Sequence, residues 1–504
     1  MGQHWAMRSV WFDTATVPST PADDFQVGTR YDTVVAGAGM TGLATAVLLA
    51  RAGQQVAVLE AREMGAVTTG HTTGKVSLLQ GATLSQISRF HSGEIVQAYV
   101  DANREGMQWL LGYLAERGVD HQRRTAYSYA MTSRGAATLR AELTHAQSCG
   151  LPVQWTEAAD LPFAVSGAIA LEEQAQINAV DVVHALAVEL RELGGTRVEG
   201  VRVIGTGKGQ TLTVHTTAGD VRADRLVLAT GAPVLDRGAY FAKLSPQRSY
   251  ALTYRLPQPT PALPAGMYLG VDKPSRSLRT VPHPDGELLL VGGNGHPVGR
   301  SSSPQAAVAD LERWVQDYFP GAQRTHAWSA QDYQSVNAVP FVGALPRGGG
   351  RIYLATGYNK WGMTNSIAAA IALSGQILGS PREWAQKLSH RATKPTGLLK
   401  TAEINTSVGW HLAKRWTAAT LAKLPADPPA EGNGVVGRDG LQPTAVSTID
   451  GTTCRVSAVC THLGGILSWN DAEKSWDCPL HGSRFAADGT VLEGPAVRNL
   501  PQRQ

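Results

Sequence analysis

The 504-residue chain has only four cysteines, Cys149, Cys454, Cys460 and Cys478. That is too few for a disulfide framework in a chain this long, so cysteines that lie close together are read as ligands. No window reaches the roughly 18 uninterrupted apolar residues of a membrane-spanning helix, and the most apolar helical stretch is cut at Arg51. The N-terminal stretch has no apolar h-region, and Ala6 stands where a myristoylation motif needs Ser or Thr. Charge of one sign is scarce as well. The 45 basic and 41 acidic residues leave a net +4, without the basic run that grips nucleic acid. These absences disfavour export, membrane insertion and a nucleic-acid partner, and make a reducing cytoplasm the expected compartment.

What is present is a large apolar fraction, 43%, enough for two to four domains at this length. The stretch Tyr31 to Arg62 reads as strand, glycine turn, helix, strand, with β runs at Thr33–Ala36 and Val56–Leu59 around a helix from Thr41 to Arg51. Each glycine has a physical task. Gly37 allows the tight turn, Gly39 lets main chain approach a pyrophosphate, and Gly42 lets helix and strand pack closely. The helix N-terminus offers free N–H groups to phosphate, and Glu60 is placed to accept from ribose hydroxyls.

Further along, Thr68 to Thr73 surround His71 and lead to Lys75. Helical spacing marks Ile95–Arg117, ended by Gly118, and further helices over Ala136–Gln147, Val180–Leu193 and Gln305–Tyr318. Cys149 reads as a structural thiol. Short β runs fall near Val198–Val203, Leu212–Thr216 and Leu226–Ala229, the last followed by Thr230-Gly231. This return of the chain to the nucleotide unit favours FAD over NAD. Arg248–Leu256, Leu278–Val281 and Glu287–Val291 read as an antiparallel sheet. Its Arg248, Arg255 and Arg279 are candidates for binding a substrate carboxylate by a bidentate fork. A strand at Ile352–Ala355 and a helix from Thr364 to Leu378 close the region, the helix dipole suiting the anion of a reduced flavin.

The GAGMTG, ATGAP, VPFVG and ATGYNKWGMT segments resemble the D-amino-acid oxidase and glycine oxidase superfamily over roughly residues 31–380. The resemblance implies FAD held between the two ends of this region and hydride transfer to the flavin. The expected cradle is Gly37, Gly39, Met40, Thr41, Gly42, Glu60, Arg62, Thr72, Thr73, Val203, Thr230, Gly231, Gly357, Gly362, Met363 and Thr364. The catalytic candidates are His71, Lys75, Arg279, Lys360 and Trp361. Thr69, His71 and Gly74 also resemble the segment of dimethylglycine and sarcosine dehydrogenases whose histidine is joined covalently to FAD; a histidine that only hydrogen-bonds there is the alternative.

The C-terminal region carries a second signal. Cys460-x-His462, fifteen intervening residues, then Cys478-x-x-His481 matches the Rieske [2Fe-2S] pattern, two Cys on one iron and two His on the other. Structural zinc sites pair like ligands instead. Relative to respiratory Rieske proteins, Gly465 and Leu480 replace both members of a disulfide, Ser483 keeps a hydroxyl for the cluster, and Phe485 replaces a tyrosine. The resemblance therefore implies a potential below the high respiratory values, within about −150 to +300 mV. The whole chain resembles bacterial fusions of an oxidase-like body with such a module.

The expected architecture is α/β and α+β. An FAD-binding Rossmann-like domain (about 31–90, 170–240 and 335–380) carries an inserted antiparallel-sheet substrate domain (about 91–169 and 241–334). Residues 1–30 form an N-terminal extension, with Trp11 and Phe12 packed back on the body and no chemistry assigned. Residues 381–430 form a helical segment and linker, with an amphipathic stretch at Val408–Leu424, and 431–504 a small all-β Rieske domain. The expected function is oxidation of an amine, amino acid or related small molecule, with electrons relayed through the cluster to an unknown acceptor or donor protein. The alternatives are a peroxide-forming oxidase with a structural Rieske domain and a redox-responsive protein that is not an enzyme.

Overall fold

A computed structural model describes residues 7–157, 160–207, 209, 211–257, 263–391, 406, 412 and 414–503. Val56–Leu59 is a fully buried run of four, and it pairs in parallel with Arg30–Ala36 and Thr196–Val198. Such runs form because sheets of parallel strands are covered on both faces. Gly219–Leu228 and Ile352–Thr356 extend the parallel order on the other side, with Phe341–Ala344 antiparallel at the edge. The helix Met40–Arg51 is buried along nearly its whole length, between this sheet and the helices Ala179–Glu192 and Gly362–Ile377. Gly93–Arg117 ends at Gly118 in the left-handed conformation (φ 64°). It crosses Gly362–Ile377 closely, since a Cβ on Gly106 would lie 2.6 Å from the Thr364 carbonyl.

The second sheet has nine strands and is mixed, a correction to the antiparallel expectation. Met267–Gly270 runs parallel to His121–Ala130, while the other pairings are antiparallel. Lys75–Val76 and Gly167–Ile177, expected in the nucleotide part, are strands of this sheet. Its long outer strand, Gln323–Ser335, pairs with Leu244–Arg255 along its length. That strand is too polar to announce itself, because Gln331 and Tyr333 turn to the C-terminal module and Asp332 to a cavity.

The N-terminal extension packs back as expected, with Trp11 fully buried. It also reaches the functional loop, which the sequence reading did not foresee. Trp11 Nε1 donates to the Thr72 carbonyl (2.5 Å), and the Phe12 ring lies 5.9 Å from that of His71. Glu383–Ser389 is helical, and 414–421 is helical at the end of the expected amphipathic stretch; 408–411 and 413 lie outside the described residues. The C-terminal module has a three-stranded sheet (Gly434–Asp439, Gln442–Ile449, Thr452–Ser457) and a four-stranded one (Ser468–Asn470, Ser475–Asp477, Arg484–Ala486, Val491–Glu493), both antiparallel. No helix among the described residues is long and apolar enough to cross a membrane.

Candidate functional site

A cavity of about 360 Å³ runs from the glycine elbow to the loop before Gly362–Ile377, a size usual for a cofactor or ligand cleft. At the elbow, Gly37 (φ 105°) leaves room that a Cβ would close, 2.6 Å from the Ala229 carbonyl, and a Cβ on Gly42 would lie 1.9 Å from the Gly37 carbonyl. The helix behind it has no side-chain cap from Gly39; Met40 N donates to Thr69 Oγ1 (3.2 Å), and Gly39, Met40 and Thr41 line the cavity end where a pyrophosphate would sit. Glu60 Oε2 accepts from Ala38 N (2.8 Å) and Oε1 from Arg62 N (2.9 Å). Burial raises its pKa, and hydroxyl donors of a ribose suit it. At the far end the helix Gly362–Ile377 also lacks a side-chain cap. Gly362 and Met363 line the cavity there, and the positive helix end suits a developing flavin anion.

Nearly all the expected cradle lines this cavity: Gly37, Gly39, Met40, Thr41, Glu60, Arg62, Thr72, Thr73, Val203, Thr230, Gly231, Gly357, Gly362 and Met363. Two expected residues do not. Gly42 sits behind the elbow as a packing glycine, and Thr364 is buried against Asn103 (2.6 Å).

Of the catalytic candidates, His71, Lys75, Lys360 and Trp361 line the cavity. His71 Nδ1 bonds the Val67 carbonyl (2.7 Å), and burial pushes its pKa down to about 4. The ring is then neutral at pH 7, with Nδ1 the protonated nitrogen and Nε2 carrying the lone pair. Lys75 Nζ donates to the Tyr268 carbonyl and to Ser277 Oγ, both 2.6 Å. Burial and the nearby Arg279 hold it well below an ordinary lysine.

Arg279 is the correction. It is 1% exposed and outside the cavity wall. Its Nη1 donates to the carbonyls of Thr73 (2.8 Å), Gly74 (2.9 Å) and Ile177 (3.3 Å), and burial lowers it to about 9. It fixes the Thr72–Lys75 loop from behind and has no fork to offer a substrate. The other two arginine candidates are also committed. Arg248 forks onto Glu473 of the C-terminal module, and Arg255 pairs with Asp285 (3.0 Å) at the surface.

The sequence reading missed Asp332. Its carboxyl lines the cavity, and its buried Oδ2 has no hydrogen-bond partner. Burial pushes its pKa up to about 6 against the opposing pull of Lys360. An acid inside a polar strand that had not been recognised gave no signal. The sequence also gave no hint that Leu492, Glu493 and Gly494 of the C-terminal module form part of the same cavity wall.

In that module the four expected donors fall into a thiol pair and an imidazole pair, one member of each on either loop. The buried Cys460 and Cys478 thiols bond each other, with the N–H groups of His462 and Leu463 turned to Cys460 and those of Leu480 and His481 to Cys478. The His462 and His481 rings lie 5.1 Å apart at 85°, and the Nδ1 of each is buried without a partner. Orphaned buried nitrogens are costly unless something binds them. Paired thiols beside paired imidazoles are the donor set that a two-iron cluster takes, so these residues fit the group. Gly465 and Leu480 interlock where the respiratory disulfide would lie, since a Cβ on Gly465 would meet Leu480 Cδ1 at 2.7 Å. The Ser483 hydroxyl reaches Cys460, and Phe485 is fully buried.

The histidine side of this site faces the body. His462 Nε2 bonds Asp236 Oδ1 (3.0 Å), and the Phe241 ring meets both imidazoles edge-on, at 6.1 and 5.2 Å. Arg202 donates to the Val491 carbonyl (3.0 Å) and Tyr333 to that of Gly494 (3.2 Å). A buried ion cluster clamps the two parts together. Arg248 and Arg484 are set among Glu473, Asp477 and Glu493. The two arginines hold Glu473 far below the usual carboxylate range, whereas burial and the neighbouring carboxylates push Glu493 up to about 7.

Residues 32–375 match the family described as FAD dependent oxidoreductase, and residues 429–504 match the Rieske [2Fe-2S] domain. YhfW of Bacillus subtilis (strain 168), which bears a Rieske 2Fe-2S iron-sulfur name, is 30% identical over 99% of both chains. Among solved structures, glycine oxidase from Geobacillus kaustophilus superposes with a TM-score of 0.58 at 22% identity, covering 70% of this chain and 96% of its own. L-Proline dehydrogenase from P. horikoshii superposes at 0.61 and 16% identity, covering 72% and 97%. At these identities the structural likeness speaks for the fold.

Proposed function

The chain belongs to the FAD dependent oxidoreductase family and ends in a Rieske [2Fe-2S] domain, and from that premise we propose that it oxidises a small amine or amino acid and passes the electrons through the cluster to an external acceptor. Bound FAD supplies a two-electron hydride acceptor, and the cluster a one-electron carrier. The observation that carries this reading is the shared wall. Leu492–Gly494 of the module line the FAD cavity, and the imidazole pair faces the body rather than solvent.

The remaining roles follow from the chemistry of the side chains. The elbow N–H groups would hold the pyrophosphate and Glu60 the ribose. Trp361 and Lys360 line the cavity and would close it over a bound flavin. Asp332, with its free Oδ2, accepts an N–H of the substrate amine. Lys75, held as a weakly basic amine by burial and the nearby Arg279, donates to whatever develops negative charge next to it. The His71 Nε2 lone pair would be the point of attachment of a covalently bound flavin and would accept a hydrogen bond otherwise; yellow colour retained in an acid-precipitated pellet separates the two. Outside the cluster pair, Cys149 and Cys454 form no disulfide, which suits a reducing compartment such as the cytoplasm.

The experiment that tests the function is anaerobic addition of candidate amines and amino acids to holoprotein and to the Cys460→Ser variant. The proposal expects flavin bleaching followed by a reduced-cluster EPR signal, and loss of turnover with one-electron acceptors in the variant. Unimpaired turnover with oxygen in Cys460→Ser would make the protein an ordinary oxidase.

A further inference from the structure

We infer that Gln331 is the bridge along which electrons cross between the flavin cavity and the cluster, an inference that rests on the relay proposed above. Gln331 is 1% exposed and lies on the strand that walls the cavity, between the lining residues Ala330 and Asp332. Its side chain turns to the module. Nε2 donates to the carbonyl of Gly482 (2.8 Å), the residue after the ligand His481. Its main chain turns to the cavity, the carbonyl accepting from Thr68 Oγ1 (2.6 Å), and Thr68 is itself a lining residue. The route from imidazole to cavity therefore runs from the His481 side chain along the main chain to the Gly482 carbonyl, across one hydrogen bond, through the Gln331 side chain to its own carbonyl, and across one more hydrogen bond.

The geometry of the amide is fixed on every side. Nε2 also donates to Tyr333 Oη (2.9 Å), and Oε1 faces Arg248 Nη1 (3.4 Å). Both N–H groups and the carbonyl are thus assigned without ambiguity of orientation. On the other side, Gly482 has φ 81°, and a Cβ there would lie 2.5 Å from Pro246 Cβ and 2.8 Å from Gln331 Nε2. Glycine is what allows the ligand loop to approach this closely. The ion cluster of Arg248 and Glu473 next to it holds the two parts in register.

Per substrate, two electrons cross singly. The first reduces the cluster. The second crosses after a one-electron oxidant, ferricyanide in vitro, has removed the first, and the protons go to water.

The test uses anaerobic holoprotein carrying both cofactors, reduced by a flash through photoexcited deazaflavin. Flavin and cluster absorbance are followed in time, with freeze-quenched EPR. Gln331→Leu keeps the volume and removes the donors. It is expected to slow flavin-to-cluster exchange while iron content stays at the wild-type value; the melting temperature falls modestly, because the Gly482 carbonyl and Tyr333 hydroxyl lose their buried partner. An unchanged exchange rate would overturn the inference. Should Gln331→Leu fail to fold, Thr68→Val reads the same path from its other end, slowed exchange supporting the bridge and unchanged exchange overturning it. A wild-type protein with both cofactors and no exchange at all would remove the relay itself, an outcome distinct from failure of the bridge alone.

Discussion

The two cofactor sites are built from opposite materials. At the elbow the contacts are main chain, and what the sequence supplies is the absence of side chains at Gly37, Gly39 and Gly42. At the cluster the contacts proposed are four side chains, Cys460, His462, Cys478 and His481, on loops whose glycines let them close. A site made of absences is damaged by adding an atom, a site made of donors by removing one. Between them lies a third construction, the buried ion cluster, which holds the first two together and sets Glu493 in the cavity wall.

The largest effect should come from removing a donor. Cys460→Ser is expected to leave essentially no iron on the chain while flavin content stays near wild type, read by metal analysis and absorbance. Parallel loss of flavin would mean that the sites are not separable in the way described.

Next is the clamp. Glu473→Gln takes from Arg248 its forked carboxylate and leaves only Glu493 at 4.0 Å, a defect worth up to about 3–5 kcal/mol, and should appear as a lower urea midpoint with new protease cleavage between body and module. A wild-type midpoint would show that the ion cluster does not hold the interface.

Adding an atom at the elbow comes after that. Gly42→Ala forces a Cβ into the 1.9 Å gap at the Gly37 carbonyl, an overpacking cost of roughly 1–3 kcal/mol or more. It should release flavin while the cluster spectrum persists. Full flavin occupancy would contradict the packing role.

Glu493 gives a pH test of smaller size. Its folded pKa is raised to about 7 from 4.5. The stability it contributes is therefore fully present below the unfolded value and is lost as pH rises through about 7. Glu493→Gln should flatten that loss, making the variant as stable as wild type or more so at pH 8 and giving it no advantage near pH 4. The difference is bounded by about 3 kcal/mol. Identical pH profiles would remove Glu493 as the proton-holding member of the cluster. The smallest effect belongs to Arg255→Ala. Its exposed pair with Asp285 is worth about 0–1 kcal/mol, and KM for any substrate found should not move.

What could be read in advance followed the same division. The elbow was legible because glycine spacing, a buried β run and a terminal acid have one joint physical reading, and the cluster because four donors at fixed spacing have few others. Arg279 misled because an arginine on a strand looks the same whether it faces a ligand or, as here, the carbonyls of Thr73 and Gly74. Gln323–Ser335 went unread for a different reason. Strand patterns presume one face in water, and Gln331 and Asp332 of this strand face the module and the cavity instead. The interface of Arg248 with Glu473 joins residues 225 apart in sequence, and no local pattern reports such a pairing.

The most direct measurement is a reductive titration of anaerobic holoprotein, with flavin and iron counted on the same sample. The account predicts about three electrons taken up per chain, two by flavin and one by the cluster, with a reduced Rieske EPR signal at the end point. Uptake of about two electrons by protein loaded with flavin and iron, with no such signal, would contradict it.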